Sequence, residues 1–422
     1  MFGRRKSVPI DPEAFIAKFI GHQVETEKMK DAARSSERSV AVLRPQIPIG
    51  AGVSAGWLGG NAALPEGMAW PEQDGKMLLF VGQIDLSALP QDLWSGAGPR
   101  SGWLGLFLPA EWPPKPTILH FDGPLVEVKG PPSKSADWTR AHDFKATDSF
   151  ALPKWPLTAE IRSGHELHAA DIAPPIKVPP GTLVDPAYHP FNRETVSLLC
   201  ETLGAAVTRQ AREIVRFPAM KKLRSSDAAW FERQRPAVLD TFVRFFEIEG
   251  RMRSGKFLDG GEVALLIEEL TGLHAYDMRY PRNDEQGYAE LELRETRLLD
   301  AQPEGSELRY WWYEYKRGLT NHAIKAYTTV PPSAILSPPL RERLEREWQN
   351  EAPNGLAAMG HAPVGHIYTP HGPDSPNEVL LEIHTSNITG LIWGDCYSLV
   401  LLIDRQALRR GDFSKVTFDI TN

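Results

Sequence analysis

The sequence predicts an α+β fold in which both ends of the chain build one antiparallel β-rich body, with a large helical insertion between them. Proline gives the first reason, since 23 of the 36 prolines lie in residues 1–190, four in 191–330 and nine in 331–376. Because proline breaks helix interiors, long helices are expected only in the proline-poor middle. The second reason is that short apolar runs bounded by turn residues, which are typical of buried strands, occur at both ends.

The chain of 422 residues exceeds the size at which a single hydrophobic core stops growing. We therefore expect one large domain or two intimate domains. Along the chain, the expected parts are an N-terminal arm at 1–40, a first β-rich part at 41–190, the helical insertion at 191–350 and a second β-rich part at 351–422. The arm should contain a helix, with Asp11 as its N-cap and Pro12 in the first helical position.

Two strands are predicted in the first β-rich part. In GGNAALPEGMAWPEQDGKMLLFVGQIDLSALP, residues 59–90, glycines and prolines set up tight turns before an apolar run from Met77 to Leu86. The second strand is GWLGLFLP at 102–109. Trp-Pro dipeptides recur at 70–71, 112–113 and 155–156. Each of them either pins a loop to the core or docks a partner.

Apolar residues at mostly three- and four-residue steps predict four helices in the insertion. The markers are Val196, Leu199, Cys200, Leu203, Val207 and Ile214 for the first helix, Val238, Phe242 and Phe245 for the second, Val263, Leu266, Ile267, Leu270 and Leu273 for the third, and Leu308, Trp311, Trp312, Tyr315 and Leu319 for the fourth. The alternating YAELELR at 288–294 leaves a strand possible, and LRERLEREWQ at 340–349 predicts a last short helix.

Strand character returns near the C-terminus, at 378–383, 398–403 and 416–420. The turn LIWGD at 391–395 separates the first two of these strands. Their order of strand, loop and strand matches that of 77–108, which hints at an internal duplication.

Three segments together resemble the YwqG-like family, a bacterial domain of unknown function. They are the 59–90 segment, GWLGLFLP at 102–109, and LIWGDCYSLVLLIDRQALRRGDFSKV at 391–416. The resemblance implies an antiparallel α+β body to which both chain ends contribute, and it implies no activity, substrate or catalytic residue. The stretch from about 190 to 350 is longer and more helical than the family pattern, so we expect it to carry the specific function.

The net charge of −7 and the isoelectric point near 6.0 argue against a general affinity for nucleic acid or anionic membranes. The segment from Arg209 to Lys256 is an exception, because it holds twelve Lys or Arg against six Asp or Glu. Arg209, Arg212 and Arg216 recur at helical spacing on one side. This pattern is either a solvated helix face or a docking face for an acidic protein partner.

Few residues suit catalysis or metal binding. The two cysteines, Cys200 and Cys396, fit a reducing compartment, and with no secretory signal or membrane span in the sequence they predict a cytoplasmic protein. His361, His366 and His371 lie five residues apart in a proline-rich loop, a spacing that sets up no ligand geometry, with His384 further along the chain. We predict no metal and no cofactor.

Trp393 and Asp395 are candidate binding residues at the turn before the strand at 398–403. An Asp in this position is either a general base or, more commonly, the acceptor of backbone hydrogen bonds in a turn.

Two functional hypotheses follow from these features. The first is a non-enzymatic protein that binds another macromolecule, as an adaptor, regulator or immunity-type protein. The alternative is an enzyme or small-molecule binder with a pocket between the β-rich body and the insertion, using Asp395, Trp393 and the histidines at 361–371. The absence of a nucleophile elbow and of a phosphate-binding glycine loop favours the first hypothesis.

Overall fold

A computed structural model provides the coordinates of the chain. It describes residues 39–50, 53–132, 136–139, 152–163, 193–216, 225–254, 260–279, 292–297, 309–328, 338–352, 355–360 and 376–421. The chain divides into two compact units, one formed by Met1–Pro174 with Glu345–Asn422 and the other by Pro175–Leu344. The predicted N-terminal helix and the histidines at 361–371 lie outside the described residues.

The described strands are β1 (Ser39–Pro45), β2 (Gly56–Leu58), β3 (Ala62–Pro65), β4 (Glu72–Gln73), β5 (Lys76–Met77), β6 (Leu79–Asp85), β7 (Trp103–Leu108), β8 (Thr117–Phe121), β9 (Leu125–Val128), β10 (Trp155–Ser163), β11 (His274–Arg279), β12 (Glu292–Arg297), β13 (Ala357–Gly360), β14 (Asn377–His384), β15 (Ser398–Asp404) and β16 (Thr417–Thr421). The described α-helices are α1 (Arg193–Arg216), α2 (Ser225–Ser254), α3 (Gly260–Thr271), α4 (Arg309–Thr328), α5 (Pro338–Glu351) and α6 (Arg405–Arg409).

Ten strands form one antiparallel sheet in the order β16-β15-β14-β13-β1-β10-β2-β6-β7-β8. The sheet contains strands from both ends of the chain, and the helices α1 to α4 interrupt the chain between β10 and β13. The predicted α+β fold, with a body built from both ends and a large helical insertion, is confirmed. None of the described helices combines the length and apolar character needed to cross a bilayer.

The sheet has an internal two-fold repeat centred on the β1–β10 pair. The order and direction of the five strands on one side recur on the other, and so does their register. Equivalent rows across the two sides are Trp57–Gln83–Gly105–Leu119 and Ala358–Glu382–Val400–Asp419. This correspondence explains the repeated order of strand, loop and strand in the sequence.

A β-bulge recurs at the equivalent position of the two halves. The β6–β7 register shifts between Phe80 and Gly82, and the β14–β15 register shifts between Val379 and Leu381. A bulge adds one residue at a defined point of a strand, so its repetition is independent support for the duplication.

In sequence order, the first repeat consists of β1, β2, β6, β7 and β8, and the second repeat consists of β10, β13, β14, β15 and β16. In the sheet, the two repeats exchange their first strands. β1 precedes β2 in sequence but pairs with β13, whereas β10 precedes β13 but pairs with β2. Residues 46–55 join β1 to β2, while the equivalent connection of the second repeat contains the unit Pro175–Leu344. The helical unit is therefore an insertion into one loop of a duplicated sheet.

The helical unit has its own apolar core, to which α1, α2, α3 and α4 contribute. Its members include Leu203 of α1, Phe245 of α2, Leu270 of α3 and Tyr315 of α4, each of them fully buried. The hairpin β11–β12 belongs to the same unit, and β12 begins at Glu292, inside the segment whose alternation left a strand possible.

The three Trp-Pro dipeptides differ in their surroundings. The Trp70 indole N–H donates to the Leu78 carbonyl at 2.8 Å, and the buried Trp155 donates to the Ile388 carbonyl at 2.7 Å. Both therefore pin a loop to the β-rich unit. Trp112 is 42% exposed, so only this indole is open to a partner.

Candidate functional site

The candidate basic face consists of Arg209, Arg212 and Arg216 on α1. All three side chains are exposed. At about 100° per residue, they lie roughly 120–180° around the helix from the buried Leu203, which faces the core. The sequence-based expectation that the three share one side of a helix therefore agrees with their position.

None of these arginines has a hydrogen bond or ion pair with a described residue. Arg212 and Arg216 are four residues apart, a spacing at which like charges destabilise a helix by about 0.2–0.5 kcal/mol. Arg216 lies in the last turn of α1, where the helix dipole favours a cation. The stabilisation of a cation by the helix dipole falls off within one turn, so it does not extend to Arg209, which has no comparable structural role.

Trp393 and Asp395 lie close in sequence but in different environments. The Trp393 ring is completely buried and stacks on Trp138, with ring centroids 5.9 Å apart and planes 18° apart. The Trp393 backbone N–H donates to the Thr385 hydroxyl at 2.9 Å. Asp395 is exposed in the following turn, which the Tyr397 N–H closes by donating to the Trp393 carbonyl at 2.8 Å. The ring packs in the core, and the carboxylate faces solvent.

A polar cluster in the second repeat was not predicted from the sequence. Glu382 is completely buried, and its Oε1 lies 3.6 Å from Nδ1 of His384. The same Nδ1 lies 2.9 Å from the hydroxyl of the buried Ser398. A serine nucleophile needs its base and the orienting carboxylate on opposite ring nitrogens. Here both groups meet Nδ1, so the cluster is not a catalytic triad.

The first repeat has different residues at these three positions. Gln83, Asp85 and Trp103 are the equivalents of Glu382, His384 and Ser398. Gln83 is completely buried, and its carbonyl oxygen accepts from the Ala63 N–H at 3.2 Å. The sequence contains a signal for the cluster, because Glu382 interrupts the apolar strand predicted at 378–383 and His384 directly follows that strand. The contact with Ser398, however, depends on the pairing of β14 with β15.

The two cysteines are not bonded to each other. Cys200 is buried, with its sulfur 3.9 Å from the Met252 sulfur, and burial raises the pKa of its thiol to about 12. Its position on the apolar stripe of α1 agrees with inert packing. Cys396 is exposed at a left-handed φ of 75°.

An open cleft of about 670 Å³ lies within the helical unit, between α2 and the end of α3. Its lining includes three exposed carboxylates, Asp240, Glu268 and Glu269, together with Arg244 and Leu265. Glu269 forms an ion pair with Arg251. Since the charged groups are in solvent, the cleft is not pre-organised around a small ligand. Within the described residues, no group of three or more His, Cys, Asp or Glu has a geometry suited to a metal ion.

Comparison with known proteins found one family model that is similar to part of the chain. The model described as "Domain of unknown function (DUF1963)" matches residues 57–122. This segment runs from β2 to just past β8, within the first repeat. A search of curated proteins gave no match. A domain of unknown function is therefore found at these residues.

Proposed function

We propose that this chain is a cytoplasmic YwqG-like protein that binds an acidic protein through the basic face formed by Arg209, Arg212 and Arg216. The observation that carries the proposal is that three arginines on one side of α1 are all exposed and form no hydrogen bond or ion pair with a described residue. The arginine guanidinium presents several donors in a fixed plane and matches carboxylates in a bidentate manner. A surface of this kind favours an acidic partner.

The charge balance of the chain favours a protein over a nucleic acid as this partner. The whole chain carries −7, although the segment from Arg209 to Lys256 is basic. A long phosphate backbone extends beyond a three-residue patch and would be repelled by the net negative charge of the rest of the chain. A compact acidic surface avoids this repulsion, because it need cover only the basic face.

The test begins with affinity capture from the native host, followed by mass spectrometry and purification of the captured protein. Its binding is then measured at low and high salt for the wild type and for R209E/R212E/R216E. We expect wild-type binding to be strongest at low salt, and the variant to lose most of the affinity and of the salt dependence. Labelled polyglutamate and a DNA duplex serve as general acidic probes, of which only the first should bind.

The matched control is R233E/K316E/R341E, which makes the same change in net charge. These three side chains are exposed on three different helices, α2, α4 and α5. The control should retain binding, and both variants should keep the wild-type melting temperature, since exposed charges contribute little to stability. Equal binding by the wild type and R209E/R212E/R216E at low salt would refute the proposal.

A further inference from the structure

The side of α2 that points away from the core carries an apolar seam, formed by Leu239, Val243, Phe246 and Gly250. Val243 is 52% exposed and Phe246 is 41% exposed. At about 100° per residue, the four positions lie roughly 100–160° around the helix from Phe245, which is fully buried in the core. The outward face of a surface helix is normally polar. The seam is therefore apolar surface that the helical unit does not need for its own core.

The spacing of the seam is that of a helix–helix contact. Its residues follow one another at steps of four, three and four, as at the a and d positions of a coiled coil. If a second α2 runs antiparallel, Val243 lies opposite Phe246 and Leu239 lies opposite Gly250. Gly250 then leaves room for the larger Leu239 side chain of the second copy. In the single chain this space is open, since a Cβ added at Gly250 would have no other atom within 4 Å.

The charges beside the seam are self-complementary in the same antiparallel arrangement. Asp240, Arg244, Glu247 and Arg251 are all exposed and alternate in sign along one flank. When the second helix runs in the opposite direction, each acidic position of one copy lies opposite a basic position of the other. Arg244 therefore faces Glu247 of the second copy, and Asp240 faces Arg251. Asp240, Arg244 and Glu247 have no ion pair with a described residue, whereas Arg251 pairs with Glu269. The Arg244–Glu247 contact therefore carries most of the argument.

We propose that α2 pairs antiparallel with α2 of a second copy of this chain, giving a two-fold symmetric dimer. A foreign amphipathic helix would fit the apolar seam, but it would have no reason to match a charge pattern that complements itself. An isologous contact closes after two copies and so does not propagate into fibres. The overlap covers about 20 residues of each helix, roughly 30 Å, so the dimer is weak and depends on concentration.

The test is sedimentation equilibrium of the full chain over a range of concentrations. The wild type should dimerise, and V243E/F246E should remain monomeric because it places charge in the seam. R244E and E247R should each weaken the dimer about tenfold, since each change turns two attractive contacts into two repulsive ones. R244E/E247R should restore the wild-type dissociation constant to within about a factor of three.

Arg233→Glu is the matched control. Arg233 is exposed on the same helix, but the residue that it would face, 258, lies beyond the end of α2 at Ser254, and so the dimer should be unchanged. Circular dichroism checks that every variant keeps its helix content. A wild type that is monomeric up to its solubility limit would overturn the proposal. A dimer that R244E/E247R fails to restore would overturn it as well.

Discussion

Replacing Trp393 by alanine should destabilise the β-rich unit severely. The indole is completely buried, and a tryptophan buries about 150–250 Å² of surface. At about 25 cal/mol per Å², its removal costs about 4–6 kcal/mol, close to the 3–5 kcal/mol typical of Trp→Ala substitutions. The stack on Trp138 adds about 0.5–1.5 kcal/mol to this cost.

Trp393→Phe should cost much less than Trp393→Ala. The Trp393 indole N–H is buried without a hydrogen-bond acceptor among the described residues, so the wild type already bears a desolvation penalty of about 1–3 kcal/mol. Phenylalanine removes this donor and keeps an aromatic ring on Trp138. Its remaining cost arises from the smaller volume that it fills.

Hydrogen exchange of the β15 amides measures these effects, because the slowest amides of a buried strand that is paired on both sides report global opening. Trp393→Ala should accelerate their exchange about a thousandfold, which corresponds to about 4 kcal/mol. Asp395→Ala is the control, since an exposed carboxylate in a turn should change stability by less than about 0.5 kcal/mol. A loss below about 1 kcal/mol in Trp393→Ala would refute the packing role and return Trp393 to the candidate binding residues.

Three further predictions concern packing and reactivity. Gly82→Ala should destabilise the sheet by about 1–3 kcal/mol in urea unfolding, because the new Cβ would lie 2.5 Å from a Leu58 methyl; an unchanged midpoint would show that Leu58 moves aside freely. Alkylation of the folded chain at pH 8 should modify Cys396 alone, because only thiolates react and burial raises the pKa of Cys200 to about 12. Mass spectrometry that finds both thiols modified before unfolding would contradict this. Arg405→Met should lower the free energy of unfolding by about 3–5 kcal/mol, because it removes the cation that lies 2.6 Å from the buried Glu378 carboxylate. E378M/R405M should lower it less, since no buried charge remains. Equal losses for the two variants in chemical unfolding would argue against a charge effect.

The outer strands of the sheet could be predicted because their apolar runs are short and end at turn residues. β6, β7, β14, β15 and β16 lie within two residues of the positions expected from the sequence. Joining the two chain ends in one sheet was also predictable, since each end alone has too few strands to bury a sheet face.

The two central strands were not foreseen. β10 carries Glu160 and Arg162 along its length, so no continuous apolar run marks it, and the apolar run of β1 is only four residues long and ends at Arg44. Arg44 forms an ion pair with Glu160 across the two strands, which accounts for these polar positions only once the pairing is known. Strand exchange between repeats likewise arises from long-range pairing and has no local sequence signal.

The candidate site residues were predictable only in part, for the same physical reason. Helical periodicity is local, so the exposure of Arg209, Arg212 and Arg216 could be anticipated from their spacing. The burial of Trp393 depends on Trp138, which is distant in sequence and reaches the same core only in the folded unit. Chemistry carried by one helix face is therefore readable from the sequence, whereas chemistry assembled across strands is not.

Both proposed binding surfaces lie in the unit that interrupts the second repeat. In the first repeat, residues 46–55 are enough to join the equivalent strands, so the register of a repeat does not require a helical unit at this loop. Loops of this kind tolerate long insertions, because the entropy of loop closure grows only slowly with length. Substitutions on the exposed faces of α1 and α2 should therefore change binding and self-association while the exchange rates of the β15 amides stay at the wild-type value. A mutation on either face that accelerates β15 exchange would show instead that the insertion supports the sheet.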